Sequence, residues 1–235
     1  MMSNNKIIEH HYETALAQVY SWMYGGFEEN RLKYQKFFVD RNIQPTKPFD
    51  KSLALDLGAG SGFQSIPLAD LGFVVHAYDL SSTLLTELME RSQRDKRRIV
   101  NTFQEDILNF PTHLQRSNKR VGLVVCMTDT LTHLPTHNAV QELITKVYHA
   151  LDDDGKFILS FRDMTSHELQ DMDRFIPVRN DENTIFTCFL EYHDDRVLVH
   201  DIIYKRNDAT KEWDLIKSCY WKLRLAPKDV LGVLV

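Results

Sequence analysis

The sequence predicts an α/β fold: a doubly wound parallel sheet, with a helical segment before it and an antiparallel meander after it. Three observations carry the prediction. Between residues 53 and 161, short apolar runs alternate with helical patterns, which calls for parallel strands joined by right-handed crossovers. The first run leads straight into "LDLGAGSG", a glycine turn that opens a helix. From about residue 183, three longer strand-like runs follow one another with only short polar breaks.

Taken in order, residues 10–24 place Tyr12, Leu16, Val19, Tyr20 and Met23 at helical spacing, and Gly25-Gly26 ends the pattern. A second helix is expected over 28–41, then a linker over 43–52, where two prolines disfavour helix. Leu53–Leu57 reads as a buried strand, 63–71 as a helix closed by Gly72, and 73–78 as the second strand. A helix over 82–96, capped by Ser81 or Ser82, precedes strands at 99–103 and 121–127. The face formed by Ala139, Val140, Leu143, Ile144, Val147, Tyr148 and Leu151 predicts a helix running to Gly155, before a fifth strand at 156–161. The meander runs are 183–193, 196–206 and 213–225. We expect a single domain over 1–235, made of a helical lid (1–50), a core (51–165), an antiparallel insertion (166–226) and the start of a helix (227–235). Because the apolar run "KDVLGVLV" has no cap after it, the expectation is a chain truncated at this point.

Composition narrows the functions. The formal charge is −5, which gives no reason to expect nucleic acid or an acidic membrane surface as a partner. The cluster "RSQRDKRR" at 91–98 reads as a solvated helix end. Three widely spaced cysteines without a C-x-x-C predict a reducing compartment, with no disulfide and no metal site. No apolar run approaches the ~20 residues that span a bilayer. The expected location is therefore cytoplasmic.

Asp56-x-Gly58-x-Gly60-x-Gly62 sits where the strand order of such a sheet reverses. A dinucleotide fingerprint, G-x-G-x-x-G, is matched only in part. The D-x-G-x-G-x-G form suits S-adenosylmethionine, whose amino-acid part needs bare backbone but brings no phosphate. Asp79, ending the second strand, can accept from both ribose hydroxyls, against its alternative as a helix cap. Asp106 can accept from an adenine amino group, with Ile107 against the ring; a turn aspartate is the competing reading.

The segments "LDLGAGSGFQSIPLADLGFVVHAYDLS", "VVCMTDTLTHLP" and "LDDDGKFILSFRD" resemble the class I S-adenosylmethionine-dependent methyltransferases, in their small-molecule, glycine N-methyltransferase-like branch. The resemblance covers roughly residues 12–165 and implies a Rossmann-like fold. It implies that Gly58, Ala59 and Gly60 line the methionine moiety, Asp79 the ribose, and Asp106 with Ile107 the adenine. Cys126 and Met127 would lie beside the sulfonium. The N-terminal helices would be a lid, with Tyr20, Tyr24 and Arg31 reaching the cofactor's carboxylate end. Asp56 and Leu80, beside these positions, complete the expected cofactor set. The closing strands of the family's seven-stranded sheet have no counterpart before Val235.

On the acceptor side the candidates are Asp129, Arg162 and His133. Asp129 follows the fourth strand and could orient an amine, accept a proton, or simply cap a turn. Arg162 ends the fifth strand, and its planar fork suits a carboxylate or phosphate. The arginine it resembles in glycine-type enzymes grips the substrate carboxylate; its alternative is a salt bridge to Asp163 or Asp173. Arg174 and Arg179 could join it in a positive pocket. His200 and Asp201 are adjacent on a strand, so their side chains should point to opposite faces.

The expected function is methyl transfer to a small, anionic acceptor at nitrogen or oxygen. A base-methylating enzyme is disfavoured, since "CMTDT" carries neither a proline-aromatic motif nor a Pro-Cys nucleophile. The alternatives are a non-catalytic S-adenosylmethionine-binding sensor or partner subunit, and a nicotinamide-dependent oxidoreductase resting on fold alone. An exposed sheet edge would leave a homo-oligomer open.

Overall fold

The computed structural model describes residues 4–46, 52–96, 98–115 and 121–234. Positions 47–51 of the expected linker, Arg97 of the basic cluster and Val235 lie outside them. Helical structure begins earlier than the periodicity suggests. α1 (Asn4–His11) continues through a π turn over 12–16 and a 3-10 turn over 17–19 into α2 (Tyr20–Met23). Gly25 and Gly26 both take positive φ and break the chain before α3 (Phe27–Asp40).

β1 (Leu53–Leu57), β2 (Val74–Asp79), β3 (Ile99–Gln104), β4 (Val121–Cys126) and β5 (Leu151–Leu159) form a parallel sheet in the order β3-β2-β1-β4-β5. β1 is buried at every position, as a central strand covered on both faces must be. α3, α4 (Ser65–Asp70) and α5 (Ser82–Ser92) cover one face through Phe38, Ile66, Leu68, Leu85 and Leu88. α6 (Pro111–Gln115), α7 (His137–Ala150) and α8 (Pro227–Leu234) cover the other through Leu114, Leu143, Val147 and Val230. Ser81 caps α5, its hydroxyl accepting from Leu84 N at 3.2 Å. The helix stops at Ser92, short of the expected 96. There the basic cluster does more than face water: Arg91 donates to Ser61 O and Arg98 pairs with Asp70.

Gly155 does not end α7. Leu151 already pairs with Val121, and the register then slips so that Lys156 meets Leu123, leaving Asp152–Gly155 as a bulge inside β5. The second sheet has four strands, not three: β6 (Phe175–Asn180), β7 (Thr184–Tyr192), β8 (Arg196–Arg206) and β9 (Trp213–Leu223), all antiparallel in that order. β6 is disguised by Pro177 and Arg179, which an edge strand tolerates. Phe186, Leu190, Val199 and Tyr220 of this sheet share one core with Leu16, Val19 and Tyr20 of the N-terminal segment and Phe63 of the glycine loop. Lid, loop and meander therefore meet above the carboxyl ends of β1 and β4. No helix among the described residues is long and apolar enough to cross a membrane.

Candidate active site

The glycine loop is held by the neighbouring strand. Gly58 N and Ala59 N both donate to Tyr78 O, at 2.8 and 3.0 Å. Gly58 takes φ +83°, and a Cβ there would fall 2.2 Å from Thr130 Oγ1. Gly60 takes φ +51° under the Tyr20 hydroxyl, which lies 3.1 Å from where its Cβ would be. Both positions require glycine, for conformation and for space. Gly60 N donates to Asp79 Oδ2 at 2.8 Å, and Ser81 N to Asp79 Oδ1 at 2.9 Å. Each carboxylate oxygen keeps a further lone pair for a ligand. Burial raises the Asp79 carboxyl above its ordinary value, and the Ser81 and Gly60 amides pull against that rise.

Asp56 lies fully buried beneath the loop, accepting from Ser65 Oγ at 2.6 Å. Burial, opposed by that hydrogen bond, pushes its carboxyl up to about 7. The unfolded chain ionises this group near pH 4, whereas the folded chain keeps its proton until about 7. Its contribution to stability is therefore whole below pH 4 and is lost as pH rises to 7. The loss is on the order of 4 kcal/mol from this group alone. Asp56→Asn should flatten that part of the profile: Tm measured at pH 5 and pH 8 should differ less in the variant than in the wild type.

The lid is tied to the strand ends by polar side chains. Glu13 accepts from Ser81 Oγ at 2.7 Å and Thr83 Oγ1 at 2.6 Å, Asn5 donates to Asp106 Oδ2 at 2.6 Å, and Ser21 meets Ser61 at 3.2 Å. Tyr20 stacks on Phe63 with ring centroids 5.6 Å apart.

Beneath this lid lie two adjoining cavities. The smaller, about 70 Å³, is lined by Leu80, Asp106 and Ile107 with Asn5, Ile8 and Leu134. The larger, about 300 Å³, reaches from Asp129, Arg162 and Thr128 to the inner face of the meander. Both are walled by Tyr12, Gly58, Asp79, Thr130 and His133, so the two compartments meet at the glycine loop.

The larger cavity is polar at the Asp129 end. Lys222 Nζ lies 2.6 Å from Asp129 Oδ2 and Arg162 Nη2 3.4 Å from it, while Arg162 N donates to Oδ1 at 3.2 Å. Burial alone would raise the Asp129 carboxyl, but Lys222 and Arg162 outweigh it and hold the group well below the usual carboxylate range. A carboxylate so held is a weak base. His133 is buried between Tyr12, 3.4 Å from its Nε2, and Tyr220; burial and then Lys222 push its imidazole down to about 3. It is neutral at physiological pH.

Most of the predicted residues come together. Tyr20, Tyr24, Gly58, Asp79, Asp129, His133 and Arg162 line the larger cavity, and Leu80, Asp106 and Ile107 the smaller. Asp56, Ala59, Cys126 and Met127 are buried around the strand ends that carry the loop. Arg31 stands apart: it binds Glu28 at 2.8 Å, Gln35 at 3.1 Å and Asp70 at 3.5 Å, and does not wall either cavity. The three arginines do not converge. Arg174 lies over the Phe189 ring and Arg179 over Trp22, whereas Arg162 pairs with Asp129 rather than Asp163 or Asp173. The second cation is Lys222, which sequence reasoning missed, as it missed Thr130 and the pair His11–Asp201. One signal was available. Lys222 shares strand parity with Tyr220, and Asp201 with Val199 and Ile203, so each is a charge on an inward-facing position.

Comparison with known proteins gives a consistent outcome. A sequence family described as a methyltransferase domain matches residues 54–155. The glycine/sarcosine N-methyltransferase of Aphanothece halophytica is 31% identical over 120 residues, 51% of this chain and 44% of that protein. The chain thus matches less than half the length of that relative. Among solved structures, the CcbJ methyltransferase of Streptomyces caelestis superposes with a TM-score of 0.73 at 20% identity, over 96% of this chain and 86% of the other. The sugar N-methyltransferase KedS8 of Streptoalloteichus does so at 0.66 and 13%, over 89% and 78%. These two are likenesses of fold.

Proposed function

We propose that this chain, whose residues 54–155 match a methyltransferase domain, is a class I S-adenosylmethionine-dependent methyltransferase that transfers a methyl group from S-adenosylmethionine to a small, anionic acceptor at nitrogen or oxygen. The observation that carries this reading is the pair of cavities meeting at Gly58, Asp79 and Thr130. One compartment has acceptors and apolar walls for a nucleoside, the other has cations. The residues present fit the cofactor. Asp79 would take the ribose, Asp106 and Ile107 the adenine, and the Gly58–Gly60 backbone the amino-acid end. When bound, the cofactor supplies a methyl carbon activated by a sulfonium and open to in-line displacement.

The chain's own part is alignment and exclusion of water. Tyr12, Tyr20 and Tyr24 wall the methyl-transfer compartment from the lid side. Asp129, held ionised, positions rather than deprotonates. Lys222 and Arg162 set two positive charges against its one negative charge, leaving a surplus for an acceptor carboxylate or phosphate. Arg162 is more than half exposed, so most of its donors remain for that group.

The test is labelled-methyl transfer to a panel of carboxylate- and phosphate-bearing amines and alcohols. Arg162→Ala should lower kcat/KM about 10- to 100-fold, the range of one charged hydrogen bond, with cofactor affinity unchanged. An Arg162→Ala enzyme as active as wild type removes the anionic acceptor. Cofactor binding with no acceptor methylated would favour the non-catalytic binder.

A further inference from the structure

At the opposite end of the larger cavity is a charge that the reading above does not use. Asp201 is 3% exposed and lines that cavity from β8, on the inner face of the meander. Its neighbours on that face of β8 are Val199 and Ile203, both buried, and its cross-strand partners are Cys188 and Ser218. The pattern of the strand calls for an apolar residue at this position. A carboxylate there is costly to desolvate unless it is well paired.

It is not well paired. His11, fully buried on α1, brings Nε2 to 3.2 Å from Asp201 Oδ2, yet neither His11 ring nitrogen nor Asp201 Oδ2 has an aligned hydrogen-bond partner among the described residues. The His11 ring instead lies against Tyr220, with centroids 4.1 Å apart. A carboxylate that lines a cavity and is so poorly satisfied by its own chain favours a ligand that brings a donor.

Register fixes where that donor would sit. Lys222 pairs with Val197, Tyr220 with Val199 and Ser218 with Asp201. Asp201 and Lys222 therefore lie two inward-facing rungs apart, roughly 13 Å along the strand direction, with Tyr220 between them. The cavity has a positive end, where Lys222 and Arg162 exceed Asp129, and a negative end at Asp201.

We propose that Asp201 is the acceptor-binding carboxylate of the distal end, holding a positively charged nitrogen of the acceptor. The acceptor is then bipolar: an anionic group at Arg162 and Lys222, and an ammonium or guanidinium at Asp201. The inference rests on the acceptor assignment above and extends it to the far wall of the same cavity.

Matched pairs of probes that differ only in an amino or a hydroxyl group test it, taken over increasing chain length so that some span the two ends: ω-amino acids against ω-hydroxy acids, and amino-alcohol phosphates against diol phosphates. Each is titrated calorimetrically into the full chain, with and without S-adenosylhomocysteine, in wild type, Asp201→Asn and Asp201→Ala. The amine member of at least one pair should bind tenfold or more tighter than its partner. That preference should vanish in both variants while S-adenosylhomocysteine affinity holds. Tm separates this from a structural role, because relieving an unsatisfied buried charge should leave Tm unchanged or higher in Asp201→Asn, whereas loss of a structural ion pair would lower it. No amine preference in any wild-type pair, a preference surviving Asp201→Asn, or a fall in Tm overturns the proposal. Failure of S-adenosylhomocysteine to bind wild type is a separate result that counts against the cofactor reading and leaves the amine comparison standing.

Discussion

Asp79→Ala is expected to weaken S-adenosylmethionine binding by at least ~100-fold, measured by calorimetry. The carboxylate already receives Gly60 N and Ser81 N, and its remaining lone pairs face the region where the two cavities join. Two ribose hydroxyls donated to a carboxylate are each worth about 1.5–3 kcal/mol. Their joint loss is therefore about two decades or more in affinity. A second effect adds to the first. Gly60 N loses its acceptor, so a loop whose conformation depends on that bond loosens before any ligand arrives. Asp79→Asn separates the two, since it keeps the shape and one acceptor oxygen but sets an amide N–H against a backbone N–H. It should fall between wild type and alanine. Wild-type affinity in Asp79→Ala would mean that the nucleoside does not lie along this edge of the loop.

The parts of the molecule legible in the sequence are those in which one residue type answers one local demand. The D-x-G-x-G-x-G turn announced itself because Gly58 and Gly60 sit at positive φ with Thr130 and Tyr20 packed against bare backbone. β1 and β4 were legible because central strands, covered on both faces, are short and largely apolar. What the sequence concealed depends on long-range register. Gly155 resembles a helix stop, yet the slip between the Val121 and Leu123 pairings turns its segment into a bulge. Arg162, Arg174 and Arg179 share a sign and a neighbourhood in the chain, but the turn before β6 sets Arg174 over Phe189 and β6 sets Arg179 over Trp22. Arg31 is held by Glu28 and Gln35 of its own helix, with Asp70 beyond them. Lys222 and Asp201 could have been flagged as charges on an inward parity. Their partners, Asp129 and His11, lie so far along the chain that only the closed fold pairs them.

Lys222→Met should be the most damaging single substitution in the acceptor compartment. Lys222 and Asp129 are both largely buried, and their 2.6 Å contact is the shortest that either makes across the cavity wall. Removing the ammonium leaves a desolvated carboxylate with only the half-exposed Arg162 guanidinium and its backbone N–H. Breaking a buried pair from one side costs about 3–5 kcal/mol, which for a chain of this size lowers Tm by roughly 10 °C. The pH dependence follows from the same contact. Asp129 is depressed in the folded chain, so it contributes stability above its unfolded pKa and loses that contribution as pH falls through the folded value. Without Lys222 the folded value rises, and the part of the acid limb that belongs to Asp129 should shrink. Asp129→Asn combined with Lys222→Met removes both charges and should recover most of the lost Tm, because no uncompensated ion remains. It should not recover turnover: the net charge returns to that of Arg162 alone, but the buried ammonium that would share the acceptor's anionic group with Arg162 is gone. Stability restored without activity would place the pair's importance in the acceptor site. Recovery of both would instead make Lys222 and Asp129 a structural bridge between β9 and the turn after β4, with Arg162 alone left to hold the acceptor.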